Sequence, residues 1–109
     1  MRIAVVDIGS TTVRLEVAHA GRPVYRQRAW LWLGDAVEAV GAIPGPKLDG
    51  VASCVAGYVG RAREHGVDRV DVLVTSPGRQ AANAVELLER VERAAGVPVR
   101  LLTAAEEAR

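Results

Sequence analysis

Apolar and polar positions alternate with two different periods along the chain. Ile3 to Ile8 is a short β-branched run stopped by Gly9, the pattern of a buried strand. From Thr12 to Ala18, the residues Thr12, Arg14, Glu16 and Ala18 alternate with Val13, Leu15 and Val17, which predicts a half-buried strand. Ala20-Gly21-Arg22-Pro23 predicts a turn, and Val24 to Leu33 a third extended stretch. Tight turns between these three make an antiparallel meander. Gly41 to Pro46, with two Gly and two Pro, predicts a loop.

The period then changes. Leu48, Val51, Ala52, Val55, Val59 and Ala62 fall on one helical stripe, which ends near His65-Gly66 where glycine supplies a left-handed cap. Arg69 to Val74 predicts a fourth strand. Ser76-Pro77 fits an N-cap and first helical position. The helix that follows carries Ala84, Leu87, Leu88, Val91 and Ala95 on one face and stops at Gly96. Val97 to Leu102 predicts a fifth strand, with Pro98 favouring an edge. Thr103 to Arg109 resembles the first turn of a helix. The predicted order is β-β-β-α-β-α-β with a C-terminal helix start: an α/β domain with a mixed five-stranded sheet, its fourth and fifth strands parallel to the first.

Composition narrows the class. The chain has 109 residues, half of them hydrophobic and a quarter charged, the balance of one globular domain rather than a disordered or fibrous chain. A net charge of +1 provides no field of one sign for nucleic acid or a membrane surface. Cys54 is the one cysteine, which excludes an intrachain disulfide and reads as a packed thiol. The opening residues have no leader pattern, so the expected compartment is the cytoplasm.

Three places could carry chemistry. Asp7 closes a buried strand and is followed at once by Gly9, Ser10 and Thr11, so a carboxylate adjoins a turn whose N–H and hydroxyl groups can approach an anion. Asp7 could hold a hydrated magnesium ion, and the same residues could equally cap a hairpin. Ser76-Pro77-Gly78-Arg79 places a cation where a helix dipole disfavours it, which suggests an anion nearby; a plain surface Arg is the other reading. Glu106-Glu107 suit the first turn of a helix on dipole grounds alone. Trp30 and Trp32 share a face of the third extended stretch and read as packing residues in preference to a ligand-stacking pair, with a docking surface for a missing partner as the other reading; His19 and His65 read as surface residues.

Together the three places carry a resemblance. Ala4-Val5-Val6-Asp7-Ile8-Gly9-Ser10-Thr11-Thr12-Val13-Arg14-Leu15 resembles the first phosphate motif of the exopolyphosphatase / guanosine pentaphosphate phosphatase family. Val74-Thr75-Ser76-Pro77-Gly78-Arg79-Gln80-Ala81-Ala82-Asn83 and the stretch from Val99 to Arg109 resemble two further blocks in the same order and at matching intervals. The resemblance implies a ribonuclease H-like (actin-like ATPase) domain over residues 1–109, the N-terminal half of a cleft whose second half is absent. It implies magnesium-assisted attack of water on the terminal phosphate of polyphosphate or guanosine pentaphosphate. Asp7 would be the metal and water-orienting carboxylate, with Gly9, Ser10 and Thr11 the first phosphate loop. Arg79 would bind phosphate, Glu107 would be the general base, and Glu106 its non-catalytic neighbour. The sequence departs from the family at Thr11, at Pro77-Gly78, and at Gly34-Asp35-Ala36-Val37, which lacks a second glycine. The expected partner is a missing C-terminal domain or a second copy in a homodimer, and the chain alone is expected to be inactive. Two other readings fit part of the pattern: half of an actin-like sugar kinase or ATPase, and a non-catalytic phosphate-binding or dimerising module.

Overall fold

The computed structural model describes residues 1–75 and 80–107, the side chains of Ala104 and Glu107 excepted. Strands β1 (Arg2–Ile8), β2 (Thr12–His19) and β3 (Arg22–Trp30) form the expected antiparallel meander. β4 (Arg69–Val74) runs parallel to β1, and β5 (Val99–Leu101) parallel to β4, so the sheet order is β3-β2-β1-β4-β5. The short β5 is an edge, as Pro98 suggested. β2 and β3 are joined by Ala20 and Gly21, both at positive φ, a two-residue turn whose twist matches that of the strands.

Alternation along the strands divides the sheet into two unlike faces. Ala4, Val6 and Ile8 of β1, Val13, Leu15 and Val17 of β2, and Val72 and Val74 of β4 are all buried on one face. Helix α2 (Gly45–Glu64) covers that face with Leu48, Val51, Val55, Val59 and Ala62, the predicted stripe, and α3 (Ala84–Ala95) adds Leu87, Val91 and Ala95. Gly66 and Gly96 end the two helices at positive φ, where a side chain would strain the backbone. The opposite face carries Asp7, Arg14, Glu16, Arg26 and Arg28.

Several predicted boundaries change; β3 itself starts at Arg22, inside the expected turn, and ends at Trp30. Helix α1 (Leu33–Val40) takes the last residue of the stretch read as strand three and the following residues, to which no element was assigned, and buries Leu33 and Val37 one turn apart. It could not be read because its entry residue, Trp32, takes a left-handed conformation (φ 56), a geometry that costs about 1–2 kcal/mol for a bulky residue. The expected loop is shorter, since α2 already starts at Gly45 with Pro46 in its first turn. β5 is three residues rather than six, beginning after Pro98, which cannot donate to the ladder. α3 begins at Ala84, because Asn83 turns aside: its Oδ1 accepts from Ile43 N at 2.9 Å and its Nδ2 donates to Ile43 O at 2.9 Å. The Ser76 N-cap lies outside the described residues. The last element, α4 (Ala104–Glu107), forms where a helix start was expected.

Cys54 is half-buried on α2, and burial pushes its thiol pKa up. Its neighbour Tyr58 is buried, and burial, with Cys54 beside it, pushes the phenol up to about 12. A phenol whose folded pKa is raised stabilises the fold fully below its ordinary value near 10 and loses that contribution as pH climbs to about 12. Alkaline unfolding followed by far-UV circular dichroism is therefore expected to show a loss on the order of 2 kcal/mol across that window, abolished by Tyr58→Phe.

Candidate functional site

The site begins where β1 turns into β2. Gly9 N donates to Thr12 O at 2.9 Å and closes the turn, leaving Ser10 and Thr11 exposed at its tip. A Cβ on Gly9 would stand 3.3 Å from Thr12 O, closer than most side chains come. The carbonyls at the tip are spent on the next segment: Ser10 O accepts from Gly34 N at 2.8 Å, and Thr11 O accepts from Leu31 N and Trp32 N at 3.1 Å each. Lys47 Nζ pins the same corner by donating to Leu31 O at 2.7 Å. The N–H and hydroxyl groups of Ser10 and Thr11 have no hydrogen-bond partner among the described residues. The turn is thus tied to the next segment through its carbonyls while the donors of two exposed residues stay unspent among the described residues, an arrangement suited to an anion.

Asp7 sits on the face opposite α2 and α3, one step before this turn. Its Oδ2 accepts from Arg14 Nη2 at 2.9 Å, whereas its Oδ1 is buried and has no partner among the described residues. Buried carboxylate oxygens are ordinarily satisfied, and leaving one bare costs about 1–3 kcal/mol. An orphan acceptor of this kind suits an ordered water or a hydrated cation. Among the described residues no group of three or more His, Cys, Asp or Glu side chains could hold a metal. Asp7 alone therefore fits an ion that keeps most of its waters and takes one carboxylate, as magnesium does.

Around Asp7 the open face forms a cleft of about 870 Å³, lined among others by Val5, Arg14, Arg26, Arg28, Leu73, Thr75 and Glu106. Cross-strand register puts Asp7 opposite Arg14, and Arg14 opposite Arg28. Arg26 is held by Glu16 at 3.1 Å, but Arg28 has no carboxylate partner among the described residues. Two like charges directly opposite each other are destabilising unless an anion lies between or over them. Arg14 and Arg28 are the functional candidates that sequence reading missed. Their meeting is a fact of register, and no short motif encodes it.

The structure brings together Asp7, Gly9, Ser10 and Thr11 as the sequence suggested. Arg79 lies outside the described residues, although Thr75, four positions earlier, lines the cleft and donates its hydroxyl to Ile8 O at 3.2 Å. The backbone of Glu107 closes α4, and its side chain lies outside the described part of the chain. Glu106 caps its own helix. Its Oε1 accepts from Thr103 N at 3.0 Å while Thr103 Oγ1 accepts from Glu106 N at 3.1 Å. That reciprocal pair is a capping box, legible in Thr103-Ala104-Ala105-Glu106, and Glu106 also pairs with Arg100. Trp30 and Trp32 do not share a strand face, because the strand ends at Trp30. Nor are they packed away, since both indoles are about half exposed. His65, expected at the surface, is half-buried with its ring 4.5 Å from that of Tyr25.

Among the described residues no helix is long and apolar enough to cross a membrane. The sequence profile of the Ppx/GppA phosphatase family matches residues 12–109. Exopolyphosphatase 1 of Mycobacterium leprae is 31% identical over 114 residues, covering 100% of this chain and 34% of that protein. The solved structure of the Aquifex aeolicus Ppx/GppA family member superposes with a TM-score of 0.89 at 32% identity, over 98% of this chain and 36% of that one. An exopolyphosphatase from Cytophaga hutchinsonii gives a TM-score of 0.89 at 25% identity, over 99% of this chain and 36% of that one. The chain thus spans about a third of the length of the relatives it matches. Its mixed sheet and these neighbours make the fold ribonuclease H-like, of the actin-like type.

Proposed function

The chain belongs to the Ppx/GppA phosphatase family, and from that premise we propose that its open face is the first half of a site for hydrolysing a terminal phosphoanhydride, in polyphosphate or guanosine pentaphosphate. The observation that carries this reading is the buried oxygen of Asp7, without a partner among the described residues, beside the exposed Ser10 and Thr11 of the Gly9–Thr12 turn. Residues 1–109 then act as one domain of a two-domain cleft, completed by a further domain or by a second copy of the chain, in the cytoplasm.

In the reaction, the oxygen of water bonds to the terminal phosphorus. The bridging P–O bond breaks, orthophosphate leaves, and the chain is one phosphate shorter. Ser10 and Thr11 donate N–H and hydroxyl hydrogens to equatorial oxygens, and Gly9 keeps the backbone close enough for them to do so. Asp7 Oδ1 orients water, and the Asp7 carboxylate would hold magnesium. Magnesium, when bound, supplies charge neutralisation at the phosphate oxygens. Arg79 adds a guanidinium fork, Arg14 and Arg28 line up the preceding phosphates, and Glu107 takes the proton from water.

With only one half of the cleft present, this chain is expected to release no orthophosphate above the blank from long-chain polyphosphate and magnesium, as measured by a colorimetric phosphate assay. Steady release by the monomeric chain that disappears in Glu107→Gln would overturn the half-site reading and show that one copy of the chain is a complete enzyme.

A further inference from the structure

The two tryptophans of the chain stand together at the end of the cleft face. Their ring centroids are 5.6 Å apart with planes tilted by 31°, and both residues are about half exposed. Trp30 lies on the same side of the sheet as Arg28, two residues further along β3, because Ala29 between them packs on the core. Trp30 is also directly opposite Thr12, where the phosphate turn ends. Trp32 is fixed beside it in its left-handed conformation by the bond from its N–H to Thr11 O. Strained backbone persists where the surroundings over-determine it, and such places cluster at ligand sites.

We propose that Trp30 and Trp32 form a stacking platform for the base of a nucleoside polyphosphate whose phosphates run along Arg28 and Arg14 toward Asp7. This rests on the phosphate-cleft reading above and selects between its two substrates. Strand spacing supports the geometry: Trp30 and Asp7 are two strands and one side-chain repeat apart, about 12 Å between backbones. That gap is within reach of a base, a sugar and a short phosphate chain, and the charges along it are of the sign that phosphates require. Indole faces stack on any base, whereas bare polyphosphate has nothing to place on them. An apolar partner chain would instead have to bury Arg28, which has no carboxylate partner among the described residues, beside the indoles, a cost that a phosphate removes.

Because Trp30 and Trp32 are the two tryptophans of the sequence, intrinsic fluorescence reads this platform without labelling. The chain is titrated with guanosine 5′-triphosphate and, separately, with inorganic tripolyphosphate, each with magnesium, following emission and calorimetric heat. The nucleotide is expected to quench emission and to bind about tenfold or more tighter than tripolyphosphate. Trp30→Ala is expected to bring its affinity down to that of tripolyphosphate without changing tripolyphosphate binding or the circular dichroism spectrum. Equal affinities with unchanged emission would overturn the platform and leave the phosphate cleft standing. No binding of either ligand would overturn both. A blue shift that grows with protein concentration and is insensitive to nucleotide would overturn the platform in favour of self-association.

Discussion

In the protein completed by a second domain, Asp7→Ala is expected to cut phosphate release by about 10²–10³-fold, the usual cost of removing one preorganised electrostatic group from a transition state. The same substitution is expected to leave the melting temperature of this chain unchanged or slightly higher. The reason is the asymmetry of the carboxylate. Oδ2 contacts an Arg14 whose side chain is 56% exposed, and such surface pairs contribute little. Oδ1 is buried without a partner among the described residues and costs stability. Removing both returns Arg14 to water and deletes the orphan. A side chain whose loss harms function but not folding is retained for its chemistry. A Tm lowered by several degrees with hydrolysis intact would assign Asp7 to the fold instead.

Leu15→Ala is expected to have the opposite profile. Leu15 lies at the middle of β2 and is only 1% exposed, under helix α2. Emptying such a site costs about 2–5 kcal/mol, against a total stability of about 5–15 kcal/mol for a domain of this size. The Tm should fall by roughly 10–30 °C in a calorimetric scan. Val24→Ala, on the exposed edge strand, is the control and should change stability by no more than about 0.5 kcal/mol. A small effect at Leu15 would mean that the core is not organised around the β2–α2 contact.

How much of this was legible in the sequence follows from what each feature depends on. β2 and the stripe of α2 were readable because one face is buried and the other wet, so alternation and helical spacing survive in the chain. β4 was found at its observed bounds, Arg69–Val74, between turn residues on both sides. α1 was not readable: its two buried residues, Leu33 and Val37, are few, Gly34 weakens it, and its entry depends on a left-handed Trp32 that no local rule supplies. The same holds for the site. Asp7 and the Gly9 turn lie within six residues and announce themselves. Arg14 and Arg28 meet only through strand register, and the exposure of Trp30 and Trp32 is decided by where β3 stops. The reason Gly34 is small is likewise tertiary, for a Cβ there would come within 3.0 Å of Ser10 Cβ.

The most direct test of the central claim is calorimetric titration of this chain with tripolyphosphate and magnesium. A phosphate cleft around Asp7 predicts saturable binding at one site per chain, weakened by added salt and reduced at least tenfold by Asp7→Ala and by Arg28→Ala. No binding, or binding that neither substitution changes, would contradict it.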